Sequence, residues 1–360
     1  MFINPKFKYP LSNRRSPFAV WRACPPANVI SFRRAGRLEN SRRLFIVSNR
    51  YAIRILLIPL ILFSLSFQGC DSIAGRFFSR TVERFGEPTL AISHKNSNPI
   101  LSNVELAVLW IGHSTMLIQI HDKIFLTDPV FTHTIGLISG RQVEPGLDPA
   151  SLTKVDYVLI SHLHFDHFNF GSLDMLPKQG CLVLPPGGAA YSPEFHFAET
   201  IELEQWKPYE ADGVRITAVP VKHFSGRYGF DAWWSGDRGY TGYIIEYKGK
   251  TVFIGGDTAY NSTLFKTIGS RYTIDLACLP IAPIEPRQYM QRFHTDPNEA
   301  IRVMEDLGAK VMVPIHHRTL FLGLEAKETS AQELLQTLIQ QKRYQKRIRI
   351  LDIGEQIILE

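Results

Sequence analysis

The run Ser161-His162-Leu163-His164-Phe165-Asp166-His167 sets three imidazoles and a carboxylate within six residues. It follows directly on the apolar run at residues 155–160, so a buried strand leads into a loop dense in ligand atoms. Neutral imidazole and carboxylate suit zinc, with iron and manganese as alternatives. His162 and His164 can converge on one ion, and Asp166 and His167, on the next turn of chain, can reach a second. A site of this kind activates water as a nucleophile, which points to hydrolysis. The plain alternative is a set of loop histidines without a ligand; spacing this tight behind an apolar strand argues against it.

Further candidates stand at longer range. His223 follows the alternating run 214–221, Asp257 follows the run 251–254 and the pair Gly255-Gly256, and His316 follows the run 311–313. Each lies just past an expected strand end, where α/β folds tend to carry ligand-binding residues. Singly, each is what a structural residue looks like. As an ordered set behind the first motif they extend the cluster.

The order Asp128, His162/His164/Asp166/His167, His223, Asp257, His316 resembles the five motifs of the metallo-β-lactamase fold. Finer matches are similar to the N-acylphosphatidylethanolamine-hydrolysing phospholipase D branch. They are Trp110-Ile111-Gly112-His113-Ser114-Thr115, Leu126-Thr127-Asp128-Pro129, Gly256-Asp257-Thr258-Ala259-Tyr260, Glu285-Pro286-Arg287 and His294-Thr295-Asp296-Pro297-Asn298-Glu299-Ala300. The resemblance runs from about residue 106 to the C-terminus. It implies two zinc ions, the first held by His162, His164 and His223, the second by Asp166, His167 and His316, with Asp257 bridging. It implies that Asp128 steadies the ligand loop without binding metal, although a turn residue before Pro129 would look the same. Asp166, Asp257 and His294 are expected to act in catalysis. His113, Tyr260, Arg287 and His294 are expected at the substrate, with His113 and His294 as donors of a hydrogen bond or a proton; for both, a structural role fits equally. His196 and His317 lack such context and are expected to be incidental.

The stretch 224–243 carries Arg227, Tyr228, Phe230, Trp233, Trp234, Arg238 and Tyr240. Its glycines indicate a loop beside His223, whose aromatics would hold acyl chains and whose arginines would grip phosphate. A packed loop with buried tryptophans is the equal alternative.

The net charge of +6 suggests a nucleic-acid binder until its distribution is read. Residues 1–54 hold 12 Lys and Arg against one acid, Glu39, so the remainder carries a balance of −5. A mildly acidic folded part is not a phosphate-tracking surface, and no nucleic-acid partner is expected. Arg50 and Arg54 precede an apolar run at residues 55–67, shorter than the ~20 residues of a spanning helix and typical of a signal peptide. Gly69-Cys70 then resembles a bacterial lipoprotein box, with Cys70 lipidated and the enzyme facing the periplasm at a membrane surface. An uncleaved anchor or a mitochondrial-type presequence are the alternatives. Residues 1–46 exceed what such a leader needs, which suggests a true start near Val47; N-terminal sequencing tests this. Cys24, Cys70, Cys181 and Cys278 show no paired spacing, and Cys181 and Cys278 read as buried small hydrophobes.

The organisation expected is a leader over 1–69, a tether over 70–104 with little period, and one hydrolase domain over 105–360. Strands are predicted at 106–111, 115–120, 124–127, 155–160, 182–184, 214–219, 242–247, 251–254, 277–279, 311–313 and 347–353. The clearest helix signal is a cap at Asp296 with Pro297 next, Glu299 three after the cap and Gly308 closing; a second helix covers 331–341. Two successive sets of strands and helices predict an α/β fold, an αββα sandwich of two mixed sheets with outer helices. The function expected is a zinc-dependent phosphodiesterase of phospholipase D type acting on N-acylphosphatidylethanolamine or a related phospholipid. Lactone or other ester hydrolysis at the same metals is the alternative, and a non-catalytic lipoprotein a third.

Overall fold

Alternate side chains of each central strand enter two different cores, and this fixes the layers. The computed structural model describes residues 87–135, 139–228, 231, 238–320, 322–324 and 329–359, with residues 75, 76, 79, 80 and 83 ahead of them. The leader, Cys24, Cys70, Phe230, Trp233 and Trp234 lie outside the described residues. Among the described residues no helix is long and apolar enough to cross a membrane.

The strands are β1 Leu106–Gly112, β2 Thr115–Ile120, β3 Lys123–Thr127, β4 Thr134–Ile135, β5 Ser139–Gly140, β6 Tyr157–Leu159, β7 Cys181–Leu184, β8 Glu199–Glu202, β9 Pro208–Ala211, β10 Val214–Val219, β11 Gly242–Tyr247, β12 Lys250–Ile254, β13 Leu276–Pro280, β14 Val311–Ile315 and β15 Gln356–Leu359. One sheet runs β15-β1-β2-β3-β6-β7-β8, the other β14-β13-β12-β11-β10-β9, and β4 and β5 form a small ribbon. Both sheets are mixed: β1, β2 and β3 are antiparallel neighbours and β3, β6, β7 and β8 parallel ones. In the second, β9 to β12 are antiparallel neighbours and β12, β13 and β14 parallel ones.

Leu106, Val108, Trp110 and Phe125 face Tyr243, Ile245, Val252 and Cys278 in the core between the sheets. Leu109, Ile111 and Leu126 point the other way. Phe253, Ala277 and Leu279 meet α2 Ser262–Gly269, α4 Pro297–Leu307 and α5 Ser330–Lys342. (Two shorter helices are α1 Phe170–Asp174 and α3 Arg287–Met290.) The expected sandwich of two mixed sheets is what the chain forms, with one difference. The outer face of the first sheet is covered by five-residue α1 and by loop residues such as Phe131, Leu147, Leu163, Phe195 and Phe197, where a layer of helices was expected.

Helix α4 begins as predicted. The Asp296 side chain accepts from the Glu299 amide, Glu299 reaches back to the cap, Pro297 opens the helix and Gly308 closes it in the left-handed region. The expected strand at 347–353 does not form. Ile348, Leu351 and Ile353 are buried, but only Ile348 makes a bridge, to Met312, and the C-terminal ladder is made by β15 on β1. Cys181 and Cys278 are free and buried, and burial pushes both thiols up to about 12. Ahead of β1, the Asn96 amide donates to Gln356, and the Leu101 N–H donates to the Gln119 side chain.

Candidate metal centre

Topology gathers the ligands. Antiparallel steps from β1 to β2 to β3, then a parallel step to β6, give β1, β3 and β6 one direction. The same reasoning gives β10, β12 and β14 one direction in the other sheet. His113 follows β1, Asp128 follows β3, and His162 comes three residues after β6. His223 follows β10, Asp257 follows β12 and His316 follows β14. The two sheets are tied at this edge, where the Thr241 N–H donates to Ser161 O and His162 bridges Tyr240.

The backbone is unusual here. His113, Asp128 and His316 have φ of 53°, 38° and 62°, a region that non-glycine residues enter at a cost. Gly256, at φ 55°, shows why glycine precedes Asp257: a Cβ there would lie 2.5 Å from Ser161 Cβ and 2.7 Å from its Oγ.

His162, His164 and His223 offer ring nitrogens that all lie within 4.8 Å of one another, with His162 Nε2 only 2.8 Å from His164 Nδ1. A second group of the same tightness joins Asp166, His167 and His316, and it includes His113, whose Nε2 is 3.0 Å from Asp166 Oδ2. Asp257 Oδ2 stands between the groups. It is 3.8 Å from His162 Nε2 and 3.9 Å from His223 Nε2 on one side, 3.4 Å from His167 Nε2 and 3.1 Å from His316 Nε2 on the other. His294 Nδ1 is 3.6 Å away.

The partners behind the rings select the nitrogens that face inward. Asp128 accepts from the Ser161 N–H at 2.7 Å and from Ser161 Oγ at 2.7 Å, and its Oδ2 lies 2.8 Å from His167 Nδ1. His223 Nδ1 donates to Phe293 O at 3.0 Å, and His162 Nδ1 faces Ser161 Oγ at 3.0 Å. These contacts leave the Nε2 atoms free to ligate, the usual device of a metal-binding histidine.

The donor set fits bound metal. His167 Nε2, His223 Nε2, His316 Nε2, His294 Nδ1 and Asp257 Oδ1 are buried without a hydrogen-bond partner. Orphaned buried polar atoms cost about 1–3 kcal/mol each, and contact with a metal cation removes that cost from the ones that ligate it.

Charge follows the same division. Burial holds His162 and His223 well below the usual imidazole range, and holds His164 below it. Burial also opposes charge on His167 and His316, but the Asp257 and Asp166 carboxylates outweigh it. His167 is raised well above its ordinary value and His316 to about 9. Burial favours protonated Asp166 and Asp257, yet the surrounding rings hold both well below the usual carboxylate range. Burial takes His113 to about 3 and His294 to about 4.

A cavity of about 530 Å³ opens on His164, Asp166, Asp257, His294 and His316. Its other walls are Phe224, Pro283, Pro286, Tyr289, Met290, Phe293, Leu322 and Leu324. His113 lies behind this opening, fully buried against Asp166.

Other expected substrate residues lie elsewhere. The Tyr260 hydroxyl donates to Asp306 and its ring stacks on Arg302, so it faces the helix layer. Arg287 pairs with Asp296 and Glu299 and donates to His294 O, which braces the residue that lines the cavity. Neither arginine expected to grip phosphate lines the cavity: Arg238 pairs with Glu202 and Glu204 at the surface, and Arg227 is buried beneath the ligand loop. His196 is exposed beside Glu194, but His317 is fully buried, stacked on Trp110 at 4.5 Å. Sequence reasoning also passed over Ser161, whose position as first residue of the motif was its only signal, and Thr319, which accepts from the His113 N–H at 2.7 Å.

Residues 123–317, over half of the chain, match the family described as the beta-lactamase superfamily domain. An N-acyl-phosphatidylethanolamine-hydrolyzing phospholipase D of Caenorhabditis elegans is 24% identical over 266 residues, 66% of this chain and 70% of that one. A mitochondrial enzyme of the same description from Saccharomyces cerevisiae is 29% identical over 61% of this chain; this chain spans half its length. The solved isothiocyanate hydrolase from Delia radicum gut bacteria shares the fold, with a TM-score of 0.58 at 19% identity over 71% of this chain and 99% of that one. With the family matched across both ligand groups, the chain belongs to the beta-lactamase superfamily, among metal-dependent hydrolases.

Proposed function

We propose that this chain is a phosphodiesterase of phospholipase D type that cleaves N-acylphosphatidylethanolamine or a closely similar phospholipid. The observation that carries the reading is the cavity. Its metal-side wall is polar, and its remaining walls are aromatic, aliphatic or proline, which suits a phosphodiester bearing hydrocarbon chains. The relatives that hydrolyse N-acylphosphatidylethanolamine support the substrate class.

His162, His164 and His223 would hold one zinc ion, Asp166, His167 and His316 the other, and Asp257 both. Bound, the pair supplies Lewis acidity and brings the pKa of water toward neutrality. Phe224, Tyr289, Phe293 and Leu324 hold the apolar arm and keep bulk water from the phosphate. His294, which burial keeps neutral, stands at the cavity wall, placed to relay the proton given up by the attacking water to the ethanolamine oxygen as its bond to phosphorus breaks. Water's oxygen ends on phosphatidate, and N-acylethanolamine leaves. The leader would keep the enzyme at the membrane that holds this substrate.

The test is turnover by the full, zinc-loaded chain of N-acylphosphatidylethanolamine, phosphatidylcholine and a lactone panel, with products read by mass spectrometry. Phosphatidate and N-acylethanolamine are expected, and His162→Ala should reduce turnover to background. Hydrolysis of lactones alone would overturn the proposal.

A further inference from the structure

Arg227 is 5% exposed, although it carries a charge and sits in a loop. Its guanidinium lies 3.7 Å from the ring centre of Phe170, 4.5 Å from that of Phe165 and 5.2 Å from that of Phe168. One nitrogen, Nη1, donates to Leu163 O at 3.2 Å and to Phe168 O at 2.8 Å. Those two carbonyls bracket the ligand loop: Leu163 stands between His162 and His164, and Phe168 follows His167. Within the loop, the His167 and Phe168 amides both donate to His164 O, making a turn whose ends the guanidinium clamps.

Arg227 is itself fixed. Its backbone N–H donates to Asp231 Oδ2 and that of Tyr228 to Asp231 Oδ1, both at 2.8 Å. It follows His223 by four residues on the same segment. The side chain therefore joins the segment that carries His223 to the loop that carries His162, His164, Asp166 and His167.

We propose that Arg227 is a positioning residue of the metal centre, setting the distance between these two ligand segments by clamping the Leu163 and Phe168 carbonyls inside a cage of three phenylalanines. The inference rests on the metal reading of the site. The ring faces attract the cation, and its charge strengthens both hydrogen bonds. Partners behind metal ligands typically govern affinity by about 10–100-fold.

The experiment is zinc and cobalt titration of the full chain as wild type, Arg227→Met and Arg227→Lys, with melting temperatures alongside. Arg227→Met keeps the apolar stem and removes the donors. It should weaken metal binding about 10–100-fold and alter the visible absorption of bound cobalt. Arg227→Lys, still a cationic donor, should recover part of both. Wild-type affinity and an unchanged cobalt spectrum in Arg227→Met, with only the melting temperature lowered, would make the residue a fold stabiliser and overturn the proposal. Should Arg227→Met fail to fold, Arg227→Lys and Phe170→Leu decide: each should shift affinity and spectrum in the same direction by a smaller factor, and no shift in either overturns the proposal. A wild-type chain that takes up no metal overturns the metal reading, and this inference with it.

Discussion

Replacing Asp128 with asparagine tests how the ligand shell is aimed. The change is isosteric, and asparagine tolerates the φ of 38° at this position, so the backbone is expected to stay in place. Oδ1 remains an acceptor for the Ser161 N–H. Oδ2 becomes an amide nitrogen, facing Ser161 Oγ and His167 Nδ1. The serine hydroxyl can turn and accept. His167 cannot donate to an amide nitrogen, so Nδ1 gives up its proton and the ring keeps the one on Nε2, the atom 3.4 Å from both Asp166 Oδ2 and Asp257 Oδ2. A protonated Nε2 cannot ligate. Metal binding must then restore the first tautomer against an unmade hydrogen bond, a cost of about 1.5–3 kcal/mol, or about 10–150-fold in affinity. On the proposed two-zinc reading, competition with a chromophoric chelator resolves two binding steps. The step served by His167 should weaken by that factor, while the step served by His162, His164 and His223 moves little. Two steps unchanged from wild type would refute the idea that Asp128 fixes the His167 tautomer.

Four further outcomes are expected. Chelation should abolish activity and lower the melting temperature; at 100 times the dissociation constant, metal contributes about 2.7 kcal/mol, which a thermal-shift titration reads. Gly256→Ala should destabilise the protein by about 2–4 kcal/mol, from left-handed strain and overpacking on Ser161, measured by urea unfolding. Phe293→Asp, which puts a charge in the apolar wall, should raise KM for a long-chain phospholipid at least tenfold while a short, soluble phosphodiester is turned over at close to the wild-type rate. Cys181 and Cys278, with pKa values raised by burial to about 12, should resist iodoacetamide at pH 8 until the protein unfolds, as mass spectrometry of labelled peptides would show.

Residue type and spacing made the ligands legible, because metals accept few side chains and the apolar runs beside those side chains marked the strand ends. Alternation marked the central strands for the same reason: their two faces enter different cores. Edge strands were not legible. The side chains of β8 and β9 are exposed or only half-buried, so their sequences carry no burial signal, and only the ladder to β7 and to β10 makes them strands. The reverse error at 347–353 has the same root. Alternation there reports three buried side chains, and burial does not supply a ladder partner. The place of Arg227 was left open because sequence shows a charge in a glycine-containing loop but not the three rings that enclose it.

The cost of the site is concentrated in its backbone. His113, Asp128 and His316 each hold a left-handed conformation worth about 1–2 kcal/mol against them. The three are fastened to the ends of the sheets. Asp128 N–H donates to Leu159 O, His316 N–H donates to His113 O, and the Trp110 indole donates to that same carbonyl. Removing the strain by straightening any one residue would break its bond and turn its side chain away from the centre. Strain of this kind persists only where surrounding structure over-determines it. Here the surroundings are fully buried strands in two sheets, which serve to hold three unfavourable residues, and through them the donor atoms, at one point between the sheets.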